Sequence, residues 1–395
     1  MGLRVAFRVD ASARIGLGHL RRCLTLASVL RQSGAECIFV SSSDQTYQPP
    51  QRDRCHLSPS ARGCLGNLPQ REGFEVRPLC GAGDAACNDG SGSPGRAKST
   101  LDWRADVEQT LDRLGSCRVD WLVVDHYGVD RSWEQVARSG CQRIMVIDDL
   151  ANRCHDCDIL LDQSPGRTLA HYQSRLPSGA RVLLGPRYAL LRPEFGQWRA
   201  YSLARRNCVA AKRLLLSFGG ADQTDMILRV LEVLSQSPLA DGFRDDPRKG
   251  LGQGADLTVV VGPVAGSGAQ VLAEARRMRL TVQVLTDVDN MAELMAESDL
   301  AIGAAGGTAW ERCALGLPSL VMVLADNQRF VADALAAHKA ALVVPSPEHL
   351  AHALRLLCLD DEGRSRMRAM SLAASGLVDG IGASRVCHEM LAYDA

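Results

Sequence analysis

Short apolar runs alternate with helix-like patterns along the whole chain, and this alternation limits the folds open to it. In the first half the runs are "RVAFRVD", "ECIFVSS", "WLVVDHY", "RIMVIDD", "ILLDQ" and "RVLLG". In the second half they are "RLLLSFGG", "LTVVVGP", "TVQVLTD", "LAIGAAG", "SLVMVL" and "ALVVP". Near-continuous Val/Leu/Ile strands between helices are the mark of parallel sheets covered on both faces. Residues 16–34 place Leu20, Cys23, Ala27 and Leu30 on one helix face, and Gly34 ends that helix. Further helices are expected at 224–236, 289–298, 307–316, 328–338 and 348–358. The pattern predicts an α/β chain of two Rossmann-like domains with parallel sheets, residues 1–200 and 201–395. The seam falls in the polar, Arg-rich stretch 194–212. Ligands of such sheets bind beyond the carboxyl ends of the strands, so two facing domains would share one cleft.

Composition narrows the function. The 45 basic and 45 acidic residues balance, which argues against a general nucleic-acid binder. No apolar run reaches the roughly 18 residues of a membrane span. The opening "LRVAFRVD" is a charged strand without a signal-peptide core, so a cytoplasmic protein is expected. The 14 cysteines are scattered, several (Cys23, Cys141, Cys313) in segments that read as helix, and are expected to be mostly reduced core residues. Two segments break the alternation. Residues 44–102 hold Cys55, Cys64, Cys80, Cys87 and "NDGSGSPGR", with only "FEVRPLC" reading as a strand. This suggests a partly flexible insertion. Residues 241–254 read as a surface loop.

Several strand-end loops carry candidate chemistry. "GLGHLRR" lacks the third glycine of a dinucleotide fingerprint, because Arg21 stands in its place. Gly16 and Gly18 still permit a tight turn and close approach of a ligand to backbone N–H groups. His19 then falls in the first helical turn, where the positive helix end disfavours an imidazolium and leaves a group that can accept a proton, though a histidine that merely caps or packs explains the position equally well. Asp10 ends the strand, with Arg8 on the same face. Orienting His19, binding a substrate hydroxyl and capping a turn are all open to Asp10. In "GAAGGTAWERCALGLPSL" the helix start near Gly307 and Thr308 suits a phosphate, and Glu311 suits a ribose diol. An ordinary exposed glutamate explains that position equally well. "LLLSFGGADQTD" supplies Gly219 and Gly220 in a third strand-end loop but no Walker sequence. "VVDHYGVD" and "VIDDLANRCHDCD" end strands in the first half, and their paired acids with His126 could suggest a metal. "CHDC" gives Cys154 and Cys157 the spacing of half a zinc site, with no second pair to complete it, so no metal is assigned.

Taken together, "FRVDASARIGLGHLRRCLTLA", "VVDHYGVD", "IDDLANRCHDCDILLDQ", "LLGPRYALLRPEF", "LSFGGAD" and "GGTAWERCALGLPSLVMVLADNQ" resemble, in order, the motifs of the UDP-sugar hydrolases of pseudaminic acid biosynthesis. These are relatives of the MurG-like glycosyltransferases and of spore-coat polysaccharide proteins. The motifs cover most of the chain outside 44–102 and 241–254. The resemblance implies a GT-B fold with the nucleotide mainly in the C-terminal domain. It implies hydrolysis of a UDP-linked 2,4-diacetamido-2,4,6-trideoxy sugar by water, with inversion at the anomeric carbon. His19 would assist the water, Glu311 would bind the nucleotide, and Asn327 and Arg192 match further family positions. A UDP-sugar is the implied partner, with no cofactor, metal, nucleic acid or membrane. Ala305 and Gly307 replace the Gly and Ser frequent in the family, and Ser164 replaces a frequent Asn, departures that bear on substrate detail. A glycosyltransferase of the same fold and an inert UDP-sugar-binding protein are the competing readings.

Overall fold

A computed structural model describes residues 2–11, 17–42, 68–79, 101–116, 118–206, 211–220, 223–236, 256–262, 268–278, 280–286, 288–358 and 361–393. The loop 241–254 and most of the expected insertion 44–102 lie outside the described residues. The chain divides into two compact units, Met1–Leu191 together with Ile381–Ala395, and Arg192–Gly380. This differs from the expected division at 200/201 in two ways. The Arg-rich helix Pro193–Arg206 falls wholly in the second unit. The last helix, Gly382–Leu391, returns to the first, where Val386, Cys387 and Met390 join the core beneath the helix Gly18–Gln32.

The first unit is built on seven parallel strands: β1 (Arg4–Val9), β2 (Glu36–Ser42), β3 (Glu75–Leu79), β4 (Val119–Asp125), β5 (Cys141–Ile147), β6 (Ile159–Asp162) and β7 (Arg181–Leu184). Their order is β3-β2-β1-β4-β5-β6-β7. All of the strands read from the sequence are present, and "FEVRPLC" supplies β3. Cys141 opens β5 instead of lying in a helix. Side chains alternate between two cores, as the period of a strand requires. Val5, Phe7, Val9, Trp121 and Val123 face the helix Gly18–Gln32. Ala6, Leu122 and Val124 face the helices Trp103–Leu114 and Arg131–Ala137, through Val107 and Trp133.

The second unit has six parallel strands: β8 (Arg213–Ser217), β9 (Asp256–Val261), β10 (Thr281–Thr286), β11 (Leu300–Ala304), β12 (Ser319–Met322) and β13 (Leu342–Val343). Their order is β10-β9-β8-β11-β12-β13. The expected helices occur as Thr224–Gln236, Met291–Glu297, Thr308–Ala314, Arg329–Ala337 and Leu350–Cys358. Both sheets share the doubly wound order 3-2-1-4-5-6, the first with one strand more. Such sheets have a crevice where the order reverses, beyond the carboxyl ends of the two central strands. That crevice lies between β1 and β4 in the first unit and between β8 and β11 in the second. Among the described residues, no helix is long and apolar enough to cross a membrane. The described cysteines are all free, with Cys154 exposed and Cys157 buried.

Candidate active site

At the β1–β4 crevice, His19 is the second residue of the helix Gly18–Gln32. Its Nδ1 lies 2.6 Å from Asp125 Oδ1 at the end of β4. Arg22, one turn further along, donates from Nε and Nη2 to the two Asp125 oxygens, each at 2.6 Å, and from Nη1 to Asp149 at 3.1 Å. Tyr127 donates its hydroxyl to Asp149 Oδ1 at 2.7 Å and meets the His19 ring edge-on at 4.7 Å. Cys23 Sγ approaches Asp125 Oδ2 at 3.6 Å. Burial by itself would raise the Asp125 carboxyl, but the Arg22 guanidinium, helped by the hydrogen bond from His19, outweighs it and holds the group well below the usual carboxylate range. Asp125 is therefore an anion, and the hydrogen on His19 sits on Nδ1, facing it. Arg22 Nη2 also stands 3.0 Å from Nδ1, but as a second donor it shares the carboxylate and forms no bond to the ring. This tautomer leaves Nε2 with a lone pair, the state a general base requires.

The partner that orients His19 is thus Asp125, not Asp10. The reason is the pleat. Val9 is the lateral neighbour of Asp125 in the β1–β4 register, so both point toward the helix Gly18–Gln32. Arg8 and Asp10 are out of phase with Val9 and take part in a network on the other face. Arg8 is fully buried and bonds bidentately to Asp10 at 2.5 and 3.0 Å. It also bonds to Asp106 at 3.2 and 2.5 Å, and Trp133 Nε1 donates to the same Asp106 at 2.8 Å. Asp10 further accepts from the Ser42 amide at 2.8 Å and lies 3.1 Å from His126 Nε2. The Gly128 amide donates to His126 Nδ1, which makes Nε2–H the donor to Asp10. Burial would raise the Asp10 carboxyl, but Arg8 and His126 keep it well below the usual range. Arg8 and Asp10 therefore hold the ends of β1, β2 and β4 together from beneath, and the fully buried Arg8 offers no surface to a substrate. Gly16 lies outside the described residues. Gly18 is exposed, and nothing stands within 4 Å of where a Cβ would lie.

The edge continues with further acids. In sheet order, β1, β4, β5 and β6 reach Asp10, Asp125, Asp148 and Asp162 at their ends. Arginine stands against each in turn: Arg8, Arg22, Arg153 and Arg167. Burial lifts Asp162 to about 6, offset in part by Ser164 and Tyr172. His155 Nδ1 meets Glu134 at 2.7 Å, and its Nε2 stands 3.8 Å from Asp148. Burial opposes its charge, but the two carboxylates raise it to about 9. No group of three His, Cys, Asp or Glu side chains is placed to hold a metal among the described residues.

At the β8–β11 crevice of the second unit, Gly219 adopts φ 96°, a conformation glycine tolerates. A Cβ on Gly262, after β9, would come within 2.8 Å of the Gly219 oxygen, so one close approach here is backbone to backbone. Gly307 is exposed with open space at its Cβ position. Thr308 opens the helix Thr308–Ala314, and Glu311 is half-buried in its first turn. Asn327 is exposed in the turn Asp326–Gln328. Its neighbour Gln328 braces that turn by accepting from the Leu324 amide at 3.1 Å, and its Nε2 lies 3.9 Å from a Cβ on Gly306. Arg192 ion-pairs with Glu194 at 3.3 Å and donates to the Asp289 carbonyl at 3.3 Å. Sequence reasoning weighed the strand-end acids Asp125 and Asp149 only as possible metal ligands, and passed over Arg22, Tyr127 and Gln328. For Asp125 a signal existed, because "WLVVD" puts it in phase with Trp121 and Val123 on one strand face.

Residues 218–381 match the glycosyltransferase family 28 C-terminal domain. An uncharacterised protein of Methanocaldococcus jannaschii is 24% identical over 83% of this chain, which spans 57% of that relative's length. The UDP-2,4-diacetamido-2,4,6-trideoxy-β-L-altropyranose hydrolase of Campylobacter jejuni is 22% identical over 85% of this chain and 96% of its own. Among solved structures, MurG of Acinetobacter baumannii superposes with a TM-score of 0.62 at 16% identity, covering 99% of both chains. The chain is therefore similar to a UDP-sugar hydrolase of the kind its motifs resemble, with a family 28 match in its second unit and the MurG-like GT-B fold of two parallel α/β sheets.

Proposed function

We propose that this protein hydrolyses a UDP-linked 2,4-diacetamido-2,4,6-trideoxy sugar, releasing UDP and the free sugar. The observation that carries the reading is the 2.6 Å bond from His19 Nδ1 to Asp125 at the β1–β4 crevice. Water attacks the anomeric carbon, and one of its protons passes to His19 Nε2. The bond from that carbon to the diphosphate oxygen breaks, and UDP leaves with the electron pair. Asp125 stabilises the imidazolium that forms, as a buried carboxylate does for a catalytic histidine. Attack opposite the leaving group inverts the anomeric centre. The glycine loops at 219–220 and 306–308, with Glu311, are assigned to UDP; Asn327 and Arg192 are assigned to substrate by resemblance alone. The similarity to the Campylobacter hydrolase over nearly its whole length supports water as the nucleophile.

The family 28 match and the MurG fold favour a second reading, transfer of the sugar to an acceptor hydroxyl. One experiment separates the two. The protein is incubated with UDP-2,4-diacetamido sugars and no acceptor, and products are followed by NMR. Stoichiometric UDP and free sugar are expected. Release that depends on an added acceptor would replace the hydrolase with a transferase.

A further inference from the structure

The second unit contains a buried cation that the reading above does not use. Arg312 is 2% exposed. It lies one turn after Thr308 in the helix Thr308–Ala314 and reaches back under the loop that precedes the helix. Its Nη2 donates to the Ala304 carbonyl at 2.6 Å, and its Nη1 donates to Thr308 Oγ1 at 3.2 Å. Its Nε has no hydrogen-bond partner, and no carboxylate lies within ion-pair distance among the described residues. A Cβ on Gly303 would stand 2.6 Å from Nη1 and 2.7 Å from the Ser217 carbonyl oxygen. The guanidinium therefore fills the notch between the ends of β8 and β11, where only a glycine leaves room for it.

Other arginines held away from solvent have either carboxylate partners or more acceptors. Arg8 and Arg22 each lie between two carboxylates. Arg206 reaches the carbonyls of Leu315, Ser298 and Met295 and the Ser202 hydroxyl. Arg312 brings five donors to two acceptors. Burial pulls its pKa down to about 10, and nearby Cys313 and Glu311 offset only part of that. Both acceptors are neutral, so the charge lacks a counter-ion of its own, an arrangement that is costly unless an anion completes it.

We infer that Arg312 is a positioning residue for the diphosphate of the ligand, with the ligand itself as its counter-ion. The inference rests on the reading that the second unit takes UDP. Thr308 Oγ1 accepts from Arg312, so its own proton is left to donate to a phosphate oxygen. The Ala304 carbonyl is occupied by Nη2, which lowers its repulsion of an anion. The positive charge beneath the loop favours the bound diphosphate and the negative charge that grows on it as it leaves. Arg312 thereby distinguishes UDP from the uncharged nucleoside.

The test is the ratio of UDP to uridine affinity, measured by calorimetry on the full chain. Arg312→Gln removes the charge and leaves a shorter polar side chain. It is expected to lower UDP affinity about tenfold or more, the scale of one charged hydrogen bond, with uridine affinity unchanged within about twofold. Arg312→Lys keeps the charge and is expected to hold the ratio within about threefold of wild type. A Gln variant that binds both ligands as wild type does, or loses both in equal proportion, overturns the inference. If the Gln variant does not fold, the Lys variant decides, and a ratio collapsed to unity in a folded Lys variant overturns it. Wild-type protein that binds uridine and UDP equally overturns the inference alone. Wild-type protein with no affinity for UDP brings down the assignment of the second unit as well.

Discussion

His19 Nδ1 and Asp125 Oδ1 stand 2.6 Å apart, joining the first turn of a helix to the end of the strand beside β1. Because Asp125 is held ionised, this one contact sets the imidazole tautomer and presents Nε2 as the acceptor. The first prediction follows from that lone pair. His19→Leu should lower turnover by about 10²–10⁴-fold, the usual contribution of a positioned base. The dissociation constant of the UDP-sugar should change by less than about tenfold. Steady-state kinetics and calorimetry check it, and near-normal turnover places the base elsewhere.

Asp125→Asn keeps the shape of the site and removes the anion. The asparagine can present an N–H toward Nδ1, which favours the tautomer with hydrogen on Nε2 and blocks the base. Turnover should fall by on the order of 10²–10⁴-fold. Nitrogen NMR of the His19 ring should show the hydrogen moved from Nδ1 to Nε2. An unchanged tautomer in a folded variant counts against the role given to Asp125.

Arg8→Met separates a structural role from a substrate contact. It leaves Asp10 and Asp106 buried on one face without their shared cation. Breaking a buried pair in this way costs about 3–5 kcal/mol. Denaturant unfolding should report that loss, whereas a direct substrate ligand would show its main effect in KM with stability intact.

Glu311→Ala should weaken UDP binding roughly ten- to a hundred-fold, the range of one charged hydrogen bond to a ribose diol, with the unfolding midpoint little changed. Calorimetry with UDP measures it. Full affinity in the variant would move the ribose contact to another side chain.

The pH dependence of stability has a stated sign. His155 is raised to about 9 in the folded protein. Its contribution is complete below its unfolded value of about 6.5 and fades as the pH rises through 9. Asp10, Asp125 and Asp148 are held low and contribute above about pH 4, losing that contribution on acidification. Asp162, raised to about 6, acts in the opposite sense to these acids, and its contribution falls between about pH 4 and 6. The melting temperature should therefore decline from about pH 6.5 to 9, by about 2–4 °C for each kcal/mol lost. His155→Gln should flatten that decline. A wild-type profile level across the interval would show that His155 is not charged in the fold.

Periodicity is a local property, so the strands, the main helices of the second half and the glycine turns were legible from the residues alone. The doubly wound class follows from them, and the placement of His19 at a strand-end helix start follows from four or five consecutive residues. Partners are not local. Arg8 looks like a ligand-facing residue beside Asp10 until the helices Trp103–Leu114 and Arg131–Ala137 cover it and Asp106 and Trp133 take its hydrogen bonds. Asp125 is 106 residues from His19, and only the pairing of Val9 with Asp125 brings it onto the right face. Arg312 reads as one more polar residue of a short helix, because burial without a counter-ion cannot be seen before β8 and β11 are laid side by side. The return of Gly382–Leu391 to the first unit is of the same kind, since an apolar helix face carries no record of which core it will fill. Alternation along the chain chose the architecture, and the register between strands chose which charges meet.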